Sequence, residues 1–95
     1  HSVLAQGASL EGVERICAHQ QALAQCAGWL DRNAPGVARD AVASNAEGAR
    51  HASQDPRVAA IASERAADRY GLQVVARNVQ DDVHNRTRFL VLGST

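Results

Sequence analysis

Twice in this chain a short apolar segment runs straight into a helical one, first at Ala18–His19 and again at Ala43–Ser44. Val13-Glu14-Arg15-Ile16-Cys17-Ala18 alternates as a strand does, and Val37 to Ala43 reads as a second strand. A chain that alternates in this way builds an α/β layer, with helices laid against a sheet. Ligands in such sheets sit beyond the carboxyl ends of the strands, near helix N-termini. His19-Gln20-Gln21 and Ser44-Asn45-Ala46 are therefore the candidate ligand junctions, where free backbone amides favour an anion.

The remaining elements follow from periodicity and punctuation. Val3-Leu4-Ala5 reads as an opening strand, and a helical stretch runs from His19 to about Arg32. Leu23, Cys26, Ala27 and Leu30 recur there at helical spacing beside Trp29, and Asn33-Ala34-Pro35-Gly36 stops the helix. Ser44-Asn45-Ala46-Glu47 has the form of a capping box, which predicts a short helix to about Ser53. Asp55-Pro56 supplies another cap, and Val58, Ala62, Ala66 and Tyr70 predict one long helix ending at Gly71. Leu72 to Ala76 reads as a strand, Asn78 to Asn85 as a polar loop, and Thr87 to Leu92 as a last strand. From the first clear strand onward, the expected order is strand, helix, strand, helix, helix, strand, strand.

Ninety-five residues make one small domain or part of a larger one. Nearly half of the apolar residues are alanine and aromatics are few, so the core has many small contacts and few large anchors. Formal charge is balanced, which argues against nucleic acid as the main partner. No apolar run reaches the roughly 18 residues of a membrane span, and no secretory signal is evident. Cys17 and Cys26 fit no metal or redox spacing, so both are expected as buried free thiols in a cytoplasmic protein. The chain opens at His1 and contains no methionine, which leads us to expect a processed chain or a piece of a longer one.

Asn85-Arg86-Thr87-Arg88-Phe89 concentrates two guanidiniums, a hydroxyl and an amide directly before the apolar run Leu90-Val91-Leu92. Guanidiniums suit carboxylates and phosphates because their planar fork donates two parallel bonds. The plain alternative is a surface turn with solvated arginines. On a strand Thr87 and Phe89 share one face and Arg88 takes the other, so one ligand does not readily meet all three. His1, His51 and His84 read as solvated, and no pair of histidines has metal spacing. Arg50, Arg57, Arg65 and Arg69 read as the wet faces of their helices.

Four segments together resemble prephenate dehydratases. Ala18-His19-Gln20-Gln21-Ala22-Leu23-Ala24-Gln25-Cys26 resembles their "SHPQALAQC" helix start, and Ser44-Asn45-Ala46-Glu47-Gly48-Ala49 resembles their "STAEAA" turn. Ala60-Ile61-Ala62-Ser63, Ala66-Ala67 and Tyr70-Gly71-Leu72 match the next helix and strand, and Gln80-Asp81 through Asn85-Arg86-Thr87-Arg88-Phe89 matches "QD…NxTRF". Ala18, Gln20 and Asn45 depart from the family's serine, proline and threonine. The family's first-lobe segments "GPxGTFS" and "ENS" have no counterpart, and neither does its phenylalanine-binding ACT domain.

The resemblance implies a single lobe, residues 1–95, of a two-lobed type II periplasmic-binding-like α/β fold. It implies conversion of prephenate to phenylpyruvate, carbon dioxide and water, with no metal or organic cofactor. Thr87 is then the catalytic group, as a hydrogen-bond donor to the departing hydroxyl. Arg88 either pairs with a carboxylate or braces the loop, and Phe89 is either a wall beside the ring or a core residue. Asn85, His19, Gln21, Ser44 and Asn45 are the other candidate substrate contacts, with capping alone as the alternative for the last four. The implied partners are prephenate, the missing lobe and ACT domain, and further copies of the chain in a homodimer or larger oligomer. A non-catalytic carboxylate sensor and a purely structural association domain are the two competing readings.

Overall fold

The computed structural model describes residues 1–81. The predicted polar loop beyond Asp81, the last strand, His84 and the whole Asn85–Phe89 motif lie outside the described residues.

The described chain forms β1 (Ser2–Ala5), β2 (Arg15–Ala18), α1 (Gln20–Gln25), α2 (Ala27–Asn33), β3 (Ala38–Ala41), α3 (Asn45–Gln54), β4 (Val58–Ala62), α4 (Glu64–Tyr70) and β5 (Gln73–Ala76). The strands make one five-stranded sheet in the order β3-β2-β4-β1-β5. β2 is parallel to both β3 and β4, while β1 runs antiparallel to β4 and β5. The carboxyl ends of β2, β3 and β4 therefore share one rim with the start of β1. His19, Ser44 and His1 are all placed on that rim.

Alternation along each strand sorts the core into two layers. Val3, Ala5, Ile16, Ala18, Ala59 and Ile61 pack with Ala22, Cys26 and Leu30 of α1 and its neighbourhood. Leu4, Cys17, Val58, Ala60 and Ala62 face the other way, against Ala49 and Ala52 of α3 and Ala67 of α4. With helices over both faces, β1 and β4 are buried throughout, while β3 and β5 at the sheet's edges stay partly open. Gly48 shows how close the approach is: a Cβ built there would lie 2.9 Å from the Cys17 carbonyl carbon and closer still to its oxygen.

One expected element is corrected. Val58 to Tyr70 is not a single helix but β4 followed by α4. Val-Ala-Ala-Ile-Ala favours a helix by propensity, yet β4 lies between two hydrogen-bonded neighbours and beneath helices on both faces. All five of its residues are consequently buried, which erases the alternation that marks a half-buried strand. Asp55 does not cap a helix either. Its carboxylate accepts from the Arg57 amide at 2.9 Å, an Asx-turn that leads the chain into β4.

Elsewhere the outcome differs in detail. The helical stretch after β2 breaks at Cys26 into α1 and α2. Gly71 ends α4 in the left-handed region with φ of 68°. The capping box at α3 is half made: the Glu47 amide donates to Ser44 Oγ at 3.1 Å, but the Glu47 carboxylate turns to Arg50, whose Nε donates at 3.0 Å. Cys17 and Cys26 are buried free thiols.

Candidate functional site

The two strand-to-helix junctions meet. The backbone amide of His19, just past β2, donates to the side-chain Oδ1 of Asn45, the first residue of α3, at 2.8 Å. The Asn45 Oδ1 thus joins one junction to the other. Ser44 caps α3 through its hydroxyl. His19 caps α1: its ring Nδ1 accepts from the Gln21 amide at 3.1 Å. A nitrogen that accepts carries no proton, so the neutral ring holds its proton on Nε2, which is left as a donor.

An open cleft of about 400 Å³ lies over this junction, lined by His1, His19, Gln21, Ala22, Gln25, Ser44 and Asn45. Its size suits a small organic acid. His19, Gln21, Ser44 and Asn45, four of the residues expected from sequence, are brought together here. Thr87, Arg88, Phe89 and Asn85 lie outside the described residues.

Three lining residues, Ala22, Gln25 and His1, were not among the site residues expected from sequence. Ala22 and Gln25 figured only within the segment that resembles the family's helix start. His1, read as solvated, is exposed; its Nε2–H donates to Gln25 Oε1 at 2.8 Å and it also lines the cleft. The antiparallel direction of β1 brings its first residues to the rim where the parallel strands end. Single-strand periodicity carries no trace of that pairing. Ala18, where the resembling family has serine, is fully buried in the core.

No lysine, arginine or carboxylate side chain among the described residues lines the cleft. Among the described residues no group of three His, Cys, Asp or Glu side chains could hold a metal ion. A second hollow of about 370 Å³ between β3 and α3 is lined by Arg15, Cys17, Arg39, Asp40, Ala41, Val42 and His51. Its arginines are already paired, Arg15 with Asp40 at 3.2 Å and Arg39 with Asp31 at 2.7 Å. Burial pushes the Cys17 thiol up, with the Asp40 charge adding to the effect, so it is not an activated nucleophile. Among the described residues no helix is long and apolar enough to cross a membrane.

Comparison with known proteins gives this arrangement a context. The family model described as "Prephenate dehydratase" matches residues 1–95. The bifunctional chorismate mutase/prephenate dehydratase of Neisseria gonorrhoeae is 52% identical over 87 residues, covering 90% of this chain and 24% of that protein. The chloroplastic arogenate dehydratase/prephenate dehydratase 2 of Arabidopsis thaliana is 43% identical over 95 residues, covering 97% of this chain and 24% of that protein. Among solved structures, prephenate dehydratase from Arthrobacter aurescens, in complex with L-Phe, superposes with a TM-score of 0.77 at 32% identity. The overlap covers 85% of this chain and 28% of that one. The chain thus spans about a quarter of the length of the relatives it matches. Matched from its first residue to its last by that family's model, and sharing the fold of a solved member, it belongs to the prephenate dehydratase family.

Proposed function

We propose that this chain is the second lobe of a prephenate dehydratase catalytic domain, acting in phenylalanine biosynthesis in the cytoplasm. The observation that carries the reading is the cleft built on the His19–Asn45 bond, where polar side chains from two strand-to-helix junctions converge. The two-lobed periplasmic-binding-like architecture, the facing lobe, the regulatory domain and a homo-oligomeric state belong to the same reading. They would sit in the three quarters of the relatives' length that this chain does not span.

Prephenate is a dianion, and its conversion takes up one proton as carbon dioxide and water depart. Electrons released by decarboxylation aromatise the ring and expel the ring hydroxyl. A protein assists by holding the carboxylates and by donating to the leaving oxygen. In this reading His19 Nε2–H and the polar groups of Gln21, Ser44, Asn45 and Gln25 bind a carboxylate. Arg88 pairs with the second, Asn85 is a further substrate contact, and Phe89 flanks the ring. Thr87 donates a hydrogen bond to the departing hydroxyl; its own proton is held too tightly for full transfer.

The experiment assays phenylpyruvate formation from prephenate, with arogenate as the competing substrate, using the full parent chain and its Thr87→Val variant. Turnover that collapses in the folded variant is the expected result. A parent chain without turnover that still binds small carboxylates equally well with Thr87→Val would establish the sensor reading instead, which the described cleft supports because all its donors come from residues 1–45. The isolated 95 residues are expected to be inactive, and turnover by them alone would refute the single-lobe assignment.

A further inference from the structure

His1 reaches the cleft from a backbone held on both sides. Its main-chain nitrogen donates to Gln80 Oε1 at 3.1 Å, and its carbonyl accepts from the amide of buried Val79 at 3.1 Å. Its ring Nε2–H donates to Gln25 Oε1 at 2.8 Å. Both residues line the cleft, and both are exposed to solvent.

A neutral imidazole and a primary amide each carry a donor and an acceptor, so such a pair can be made in two ways. With the proton on Nε2, Gln25 turns its carbonyl to His1 and keeps its NH2 for the cleft. With Nε2 bare the amide flips, its NH2 goes to the ring, and the cleft is left with a carbonyl. An ionised carboxylate accepts and never donates, so only the first arrangement receives one. An imidazolium has donors on both nitrogens and permits only that arrangement. It also adds a positive charge to a cleft that no described lysine or arginine lines.

We propose that His1 takes up a proton as a carboxylate enters the cleft, and that the imidazolium pairs with the carboxylate while locking the Gln25 NH2 toward it. The inference deepens the proposed function and rests on it. The proton comes from solvent, to which His1 is exposed, and goes to Nδ1. Imidazole is the side chain whose charge ordinarily changes between about pH 5 and 8. Several other titratable or charged groups stand on the elements around His1. Glu64 pairs with Arg77, and Glu47 of α3 with Arg50. The Asp81 amide donates to the Gln25 carbonyl at 2.6 Å, which brings a further carboxylate to that side. Carboxylates and guanidiniums ordinarily titrate outside the imidazole range, and burial pushes the Cys26 thiol further above it. His19 shares the range, so the two histidines are told apart by substitution.

The test titrates the full parent chain with phenylpyruvate by calorimetry from about pH 5.5 to about 8.5, in two buffers of different ionisation heat. Wild-type affinity is expected to fall about tenfold as the pH rises, with net proton uptake on binding where it falls. His1→Gln keeps a donor for Gln25 Oε1 but cannot titrate. It is expected to bind at the wild-type high-pH level throughout, without proton uptake. His19→Asn is expected to bind more weakly and to keep the pH slope. Wild-type binding that does not change with pH overturns the proposal, and so does a folded His1→Gln that keeps the slope. If His1→Gln does not fold, His19→Asn decides: a slope that vanishes there puts the proton on the other histidine and overturns the proposal, and a slope that stays supports it. A wild-type chain that binds no phenylpyruvate at any pH overturns the proposed function together with this inference, whereas pH-independent binding overturns the inference alone.

Discussion

The His19 amide and the Asn45 side chain, 26 positions apart, are joined by a 2.8 Å hydrogen bond that ties the end of β2 to the start of α3. Removing the acceptor leaves a partly buried amide without its partner. Asn45→Ala is therefore expected to cost about 1–3 kcal/mol in a denaturant melt. Asn45→Thr, which keeps an oxygen near the same place, is expected to recover most of that loss.

In the proposed function the ring of His19 has two separable tasks, accepting from the Gln21 amide and donating from Nε2–H to a bound carboxylate. His19→Asn preserves a good cap and removes the cleft donor. Its stability is expected to stay within about 0.5 kcal/mol of wild type, while carboxylate affinity falls. His19→Ala is expected to lose both, and paired melts and ligand titrations of the two variants separate the tasks.

Both thiols are buried, and burial pushes each above its ordinary pKa. Little thiolate exists at neutral pH to attack an alkylating reagent. A brief iodoacetamide pulse at neutral pH followed by intact-mass analysis is expected to leave the native chain unlabelled and to label Cys17 and Cys26 once denaturant is added. Fast labelling of the native protein would show that the two core layers are open.

Two carboxylates set the expected acid response. Arg50, by hydrogen bonding and then by charge, holds Glu47 below its ordinary pKa, and the Arg57 amide followed by the Arg57 guanidinium does the same for Asp55. A depressed folded-state pKa contributes stability above the unfolded pKa, and that stability is lost as pH falls through the folded value. Both pairs are solvent-screened, so the effect is small. The thermal midpoint of wild type is expected to drop more than that of a Glu47→Gln/Asp55→Asn double variant as pH is lowered through and below the usual carboxylate range.

Gly48 lets α3 lie against the carbonyl of Cys17. A β-branched side chain there has no room without moving helix from strand. Gly48→Val is expected to destabilise the domain by about 2 kcal/mol or more, as read from a urea melt, whereas the same change at exposed Gly36, which has nothing within 4 Å, is expected to be mild.

What could be read from the sequence was what chain-local physics controls. Ser44 and Gly71 were legible as helix ends because capping and left-handed backbone depend on a few adjacent atoms. The β2–His19 and β3–Ser44 junctions were legible because periodicity changes abruptly there. β4 was not, since five buried residues in a row carry no period and alanine points to helix. His1 was missed for a related reason: its neighbours in the cleft are supplied by the antiparallel placement of β1 between β4 and β5, which no local pattern encodes.

That placement also has a mechanical consequence. β1 and β5 are antiparallel neighbours, and the start of one lies beside the end of the other, with Val3 opposite Ala76. Tension applied between residues 1 and 81 therefore loads their hydrogen bonds one at a time, as in a zipper, rather than all together in shear. The unit yields readily at the rim that carries the cleft and resists elsewhere. A rotation about that rim would strain two short strands and leave the parallel block of β2, β3 and β4 intact.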